Sequence, residues 1–162
     1  MKQEFKTMHG NEYSTPQAVF NYFNKIYNFT HDLAASDLNY KCNNYFTMEN
    51  DSLSKDWHKL EGYLWLNPPY SPLRPWIEKA QKEADLGAKV CLLVPPFLNT
   101  KYIHNRLPNK IIYIVGRLAF EREGQAQKGN TKDSVLLVFN DDVVRGASSW
   151  LSRSELLKET LC

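Results

Sequence analysis

A predicted strand, an amphipathic helix and a second predicted strand follow one another in the middle of the sequence, and this unit constrains the fold most strongly. The strands are predicted at residues 64–66 and 89–94, and the helix at residues 72–86. Apolar residues of the helix recur at three- and four-residue spacing, as in a helix with one buried face. Strands joined by such a crossover run parallel in one sheet. The unit therefore predicts an α/β fold with a parallel or mixed sheet.

The segment before this unit begins with a polar stretch. Residues 1–12 show no periodic apolar pattern and are predicted to form a flexible N-terminal arm. A helix is predicted to follow and to reach about Tyr27, with a hydroxyl group as its N-cap and Pro16 at its first helical position.

The rest of the chain continues the alternation of strands and helices. Further strands are predicted at residues 29–33, 45–47, 111–115 and 134–139, and further helices at residues 100–107 and 149–161. The last two strands are expected to pair antiparallel, as joined edge strands often do in mixed sheets. The Gly-containing, charged segment 116–132 between them is predicted to be a loop.

Composition excludes several classes of protein. With 43% hydrophobic and 23% charged residues and no long apolar run, the 162-residue chain is typical of a soluble globular domain. No segment resembles a signal peptide. Three widely spaced cysteines without CxxC spacing indicate neither a disulfide framework nor a zinc site, so we expect no metal and a reducing, cytoplasmic environment.

The strand at residues 64–66 runs directly into Asn67-Pro68-Pro69-Tyr70, which is predicted to be the catalytic segment. The prolines stiffen the loop and leave the Pro68 carbonyl free to accept a hydrogen bond, and Asn67 adds a side-chain carbonyl. Two such acceptors can hold both hydrogens of a planar amino group, such as N6 of adenine, while Tyr70 stacks on the base. Ligands bind beyond the carboxyl ends of strands in open α/β sheets. The alternative is a turn that only ends the strand.

Other motifs precede this tetrapeptide in a fixed order. They are YSTPQ at 13–17, DLAA at 32–35, KC at 41–42, YFT at 45–47 and DSL at 51–53. In this order, from about Tyr13 to Phe139, the sequence resembles the phage DNA N6-adenine methyltransferase (Dam) family. The resemblance implies a Rossmann-like S-adenosylmethionine-dependent methyltransferase fold, with a mixed, mostly parallel sheet and an antiparallel C-terminal hairpin. It also implies methyl transfer to N6 of a flipped-out adenine in DNA, with a stringent or a relaxed sequence preference.

The resemblance implies a cofactor site for S-adenosylmethionine. Asp32 would accept a hydrogen bond from the cofactor's ammonium group, and Thr15 and Gln17 would meet its carboxylate at a helix start. Asp51 would bind the adenine amino group of the cofactor, and Leu53 would pack on that ring. Structural roles as turn and helix caps are the alternatives. The remaining predicted cofactor contacts are Tyr13, Pro16, Ala34 and Asn67.

DNA is the predicted partner, and residues of two segments are the predicted contacts. They are Phe97, Asn99, Lys101, Arg117, Arg122, Lys128 and Lys132, together with Tyr70 on the flipped base. Residues 13–162 are expected to form one catalytic domain without a separate target-recognition domain. The domain is expected to be a monomer or a homodimer paired through its last helix, unless that helix only covers the sheet. If phage-encoded, it would act in the host cytoplasm.

Two other functions remain open from the sequence. The tetrapeptide also occurs in methyltransferases that act on another amino group, of an RNA base or a protein glutamine. A non-catalytic module that binds DNA or cofactor is the second alternative.

Overall fold

The computed structural model describes residues 14–122, 125–141 and 146–158, and for residues 126–132 the backbone only. The strands are β1 (His31–Asp32), β2 (Asn44–Tyr45), β3 (Tyr63–Leu66), β4 (Lys89–Val94), β5 (Lys110–Arg122), β6 (Gln125–Phe139) and β7 (Ala147–Ser152). The α-helices are α1 (Gln17–Tyr27), α2 (Arg74–Asp85), α3 (Lys101–His104) and α4 (Arg153–Lys158). The predicted arm at residues 1–12 lies outside the described residues.

All seven strands join one sheet in the order β2-β1-β3-β4-β6-β5-β7. Strands β2, β1, β3 and β4 run parallel, and β7 is parallel to β5. Strand β6 is antiparallel to both of its neighbours. The predicted α/β class, with a mixed, mostly parallel sheet and an antiparallel hairpin near the C-terminus, is confirmed.

Apolar layers cover both faces of the sheet, and β3 shows why. Its side chains alternate between the faces, so that Trp65 points to the layer of α1 while Leu64 and Leu66 point to the layer of α2. In the first layer the rings of Phe20 and Trp65 are nearly perpendicular, at a centroid distance of 5.4 Å. A strand buried on both sides reads as a continuous apolar run, which is the pattern that made this unit predictable.

The segment predicted as a loop at residues 116–132 is instead the extension of β5 and β6 into a long hairpin. The charged residues of this segment obscure the alternation of buried and exposed side chains that is typical of a strand. Leu118 and Phe120 are buried, whereas Arg117 is exposed. Gly116 adopts a φ of 101° where the register shifts between Ile114 and Leu118. A bulge of this kind bends a strand without ending it, so the sequence pattern changes phase there.

The prediction of one helix at residues 149–161 is also wrong. Residues up to Ser152 form β7, and the ring of Trp150 stacks on Tyr113 of β5 at 4.5 Å. The helix α4 begins only after a capping box, in which the Glu155 amide donates to Ser152 Oγ and the Ser152 amide donates to the Glu155 carboxylate. Leu156 is buried in the apolar layer of α1, so this helix covers the sheet.

Near the N-terminal end of the described residues, α1 reaches Tyr27 as predicted, but its first residue differs from the prediction. Pro16 is the N-cap and not the first helical residue, and no side chain caps the helix start. The hydroxyl group of Thr15 instead accepts a hydrogen bond from the side chain of Asn67.

A set of polar contacts fixes α3 and the loops at the amino ends of the central strands. The side-chain nitrogen of Gln81 donates hydrogen bonds to the Tyr102 carbonyl at 2.6 Å and to the Arg106 carbonyl at 3.1 Å. The buried Arg106 guanidinium donates to Asp85 at 2.6 Å and to Asn140 at 2.9 Å.

Among the described residues, no helix is long and apolar enough to cross a membrane.

Candidate active site

A cavity of about 500 Å³ lies beyond the carboxyl ends of β1 and β3. Its walls come from residues 33–36 after β1, from residues 46–48 and 51–53 of the following turns, and from residues 67–69 after β3, with the start of α2 opposite. A smaller cavity of about 20 Å³ adjoins it, because Ala34, Asn39 and Asn67 line both. Pocket dimensions of this order are typical of small-molecule sites. The position agrees with the rule for open α/β sheets.

Asp32 is a buried carboxylate at the small cavity. It accepts hydrogen bonds from the Ala34 amide at 3.3 Å and from the Lys41 amide at 3.0 Å. Burial raises the pKa of Asp32 to about 6, although both amides and the charge of Lys41 act in the opposite direction. An additional positive group in the cavity would therefore stabilise its ionised form.

Asn67 is held by a residue far away in the sequence. Its side-chain nitrogen donates to the Thr15 hydroxyl oxygen at 2.9 Å, and both residues line the small cavity. The carbonyl oxygen of the Asn67 side chain is thereby the atom left for a ligand. Pro68 and Pro69 line the larger cavity beside it.

Asp51 and Leu53 line the far side of the larger cavity. Asp51 has a φ of 48° and ends a short 3-10 turn that the Thr47 and Asn50 side chains stabilise. Leu53 packs against the layer of α2. The hydroxyl of Ser52 between them is buried and has no hydrogen-bond partner within the described part of the chain.

Tyr70 is placed differently from the rest of its tetrapeptide. Its ring lies edge-on to Phe120 of β5, at a centroid distance of 6.1 Å, on the side of the sheet that α1 covers. Burial raises the pKa of the Tyr70 hydroxyl, and the Ser134 hydroxyl lowers it only in part. Neither hydroxyl has a partner in hydrogen-bond geometry in the described ranges.

Two predicted cofactor residues near the start of α1 lie apart from the cavities. Gln17 is exposed, and its side chain bonds to Asn21 and to the Lys41 ammonium. Neither Gln17 nor Pro16 lines the two cavities described above. Tyr13 lies outside the described residues.

The predicted DNA contacts fall on two exposed segments. Phe97, Asn99 and Lys101 are exposed after β4, with Phe97 64% accessible. Arg117 and Arg122 are exposed on β5, and the Arg117 guanidinium lies 3.8 Å from the Asp133 carboxylate. Lys128 and Lys132 lie on β6, and their side chains are outside the described part.

Asn39, Lys41 and Ser52 are polar residues that line the cavities and are not among the predicted site residues. Lys41 belongs to one of the motifs that carried the family resemblance, which was the available signal. Ser52 belongs to another of these motifs, at residues 51–53, whereas Asn39 is a polar turn residue whose turn role obscures any role in binding.

One group of possible metal ligands occurs in the described ranges, formed by Asp56, His58 and Glu83. The Glu83 carboxylate already bonds to the Lys79 ammonium and to His58 Nδ1, each at 2.6 Å. A cation is thus already present at this carboxylate, which explains its burial without a metal.

Comparisons with known proteins identify the family of the chain. A family model described as DNA N-6-adenine-methyltransferase (Dam) matches residues 2–161. A DNA N-6-adenine-methyltransferase of Haemophilus phage HP1 (strain HP1c1) is 31% identical over 154 residues, covering 89% of this chain and 88% of the relative. One of Escherichia phage T1 is 30% identical over 149 residues, covering 80% of this chain but only 62% of that relative. The chain therefore belongs to the DNA N-6-adenine-methyltransferase (Dam) family.

Proposed function

We propose that this chain transfers a methyl group from S-adenosylmethionine to N6 of adenine in DNA. Family membership supports a methyl donor and a DNA substrate. The observation that carries the proposal is the position of Asn67, which lines both cavities and has its side-chain nitrogen engaged by Thr15.

The cavities suit S-adenosylmethionine in their chemistry. Asp32 offers a buried carboxylate to an ammonium group in the small cavity, and the exposed Asp51 offers a second carboxylate to an amino group in the larger cavity. Leu53 and Phe46 supply apolar surface for a purine ring, and the unpartnered Ser52 hydroxyl supplies a further polar group. The cofactor, when bound, supplies a methyl group on a positively charged sulfur, which is a strong electrophile with a good leaving group.

The chain's own contribution is to orient the substrate amine. The Asn67 side-chain oxygen and the Pro68 carbonyl would accept its two hydrogens, directing the nitrogen lone pair toward the methyl group. Alignment of reacting atoms accounts for a large part of catalysis in such a transfer, and little acid-base chemistry is needed.

An adenine inside a duplex must leave the stack to reach this loop, at a cost of a few kcal/mol. We propose that the exposed Arg117 and Arg122 contact DNA phosphates and that Phe97 or Lys101 braces the opened duplex. We propose that the loops and the hairpin of this domain contribute to the sequence preference.

The test is transfer of labelled methyl groups from S-adenosylmethionine to DNA, RNA and protein, followed by analysis of the modified bases. We expect label in DNA as N6-methyladenine, and its loss in Asn67→Ala while cofactor binding persists. The exposed Asn43 gives a control, since Asn43→Ala should keep the activity. Label in RNA or protein with blank DNA would support the other methyltransferase class, and an inert wild type would support the binding module.

A further inference from the structure

Thr15 combines deep burial with a contact to the tetrapeptide loop. Only 1% of its surface is accessible, and its hydroxyl oxygen accepts the hydrogen bond from the Asn67 side chain at 2.9 Å. The two residues are 52 positions apart, so this bond joins the segment before α1 to the loop after β3.

The segment that carries Thr15 is fixed on both sides. Ser14 forms two backbone hydrogen bonds with Glu121 of β5, of 2.7 and 2.9 Å. On the other side, the Pro16 carbonyl accepts from the Val19 and Phe20 amides in the first turn of α1. A hydroxyl held between two such anchors loses little entropy when it binds an amide, and its position is set before any ligand arrives.

The orientation of the Asn67 amide matters because its two ends have opposite hydrogen-bonding character. The oxygen can accept from a substrate amine, whereas the nitrogen would place a donor against a donor. By accepting from the nitrogen, Thr15 leaves the oxygen for the substrate. The structure assigns to Thr15 the role of a positioning residue that holds the Asn67 side chain in place with its oxygen free for the substrate, an inference that rests on the proposed function.

The test compares Thr15→Val, which keeps the shape and removes the acceptor, with Thr15→Ser, which keeps the hydroxyl. In Thr15→Val we expect kcat at saturating cofactor to fall about 10- to 100-fold, while KM for DNA and Kd for S-adenosylmethionine change little. Thr15→Ser should recover most of the rate. In the double variant Thr15→Val/Asn67→Ala, no loss should appear beyond that of Asn67→Ala alone, because the two residues act as one unit.

Three outcomes would overturn the inference. They are an unchanged kcat in Thr15→Val, a defect that lies wholly in cofactor Kd, or a Thr15→Ser variant as slow as Thr15→Val, which would indicate methyl packing alone. A readout without turnover separates this inference from the proposed function. The side-chain amide NMR signal of Asn67, assigned with Asn67→Ala, should shift in Thr15→Val and return in Thr15→Ser even if no polymer is methylated.

Discussion

At the scale of single residues, the buried carboxylate of Asp32 is expected to make binding of the proposed cofactor depend on pH. Its pKa of about 6 in the folded chain lies above the ordinary value of 3.8, because burial outweighs the two amide hydrogen bonds. For the free protein, this shift means that stability falls as pH rises between those two values, since the folded state holds the proton longer. A cationic ligand reverses this cost by stabilising the ionised form.

We therefore expect affinity for S-adenosylmethionine to fall about tenfold per pH unit below about pH 6 and to level off above it. Isothermal titration calorimetry from about pH 5 to about pH 8 would measure this dependence. Asp32→Asn should bind weakly at every pH, with the dependence flattened. A wild-type affinity that stays constant across the range would contradict a role for Asp32 toward the ammonium group.

The sequence predicted some site residues and not others for a physical reason. Asp32 ends β1 and Asn67 directly follows β3, and these strands are neighbours, so the sheet alone brings the two residues together. Thr15 was predicted as a cofactor contact, but its bond to Asn67 depends on where the chain before α1 crosses the sheet. The inward direction of Tyr70 depends on Phe120, in a segment predicted to be a loop.

At the scale of elements, the β5–β6 hairpin is the main surface proposed for DNA. The side chain of Arg122 is exposed on this hairpin. The Arg117 guanidinium forms an ion pair with the Asp133 carboxylate at 3.8 Å. A phosphate contact contributes to affinity through release of counterions, so its removal weakens binding on every sequence and reduces the dependence on salt.

In Arg122→Ala we expect weaker DNA binding and a salt slope reduced by about 1. Fluorescence anisotropy with duplex DNA at several salt concentrations would give both values. Lys82→Ala removes a comparable exposed charge from α2 and should leave the slope unchanged. If the salt slope of Arg122→Ala equals that of the wild type, the Arg122 side chain does not contact the DNA phosphates.

Elements with a single, consistent period were predictable, and elements with a mixed signal were not. Strand β4 has the predicted bounds because all its residues after Lys89 are buried. Strand β7 is short and half-exposed, and its pattern does not distinguish strand from helix. This segment forms a strand because it pairs with β5. Such pairing depends on tertiary structure, so the local sequence does not reveal it.

At the scale of the whole molecule, one buried carboxylate ties the cavity wall to the core. Glu83 of α2 accepts from the His58 amide at 2.8 Å as well as from its ring, and from Lys79. Burial raises the pKa of Glu83, but these hydrogen bonds outweigh it, and the net pKa is lowered. Beside it, the Trp57 indole donates to the Ser52 carbonyl in the cavity wall at 2.9 Å.

Glu83→Gln leaves Lys79 without its partner charge, and we expect the free energy of unfolding to fall by about 3 kcal/mol at neutral pH. Because the folded pKa is lowered, the contribution is present above the ordinary value of 4.5 and is lost as pH falls through the folded value. Urea unfolding at about pH 7 and about pH 3 would test both statements, and the gap between variant and wild type should narrow at the lower pH.

The matched control is Glu78→Gln on the same helix, whose partner Arg74 is exposed. An exposed pair of this kind contributes about 0 to 1 kcal/mol, so the control should unfold near the wild-type midpoint. Equal losses in the two variants would show that helix charge, and not the buried contact, sets the stability.

The backbone pairing of Ser14 with Glu121 has a consequence for how target preference changes in evolution. The Phe120 ring contacts Tyr70, so we expect its replacement to lower turnover on any DNA, whereas Glu121 pairs with Ser14 through backbone atoms that any residue at that position provides. Arg122, one residue further, has its side chain in solvent. On the proposed function, we therefore expect that exchanging the residues beyond Arg122 would change the target preference and leave the rate of methyl transfer largely unchanged.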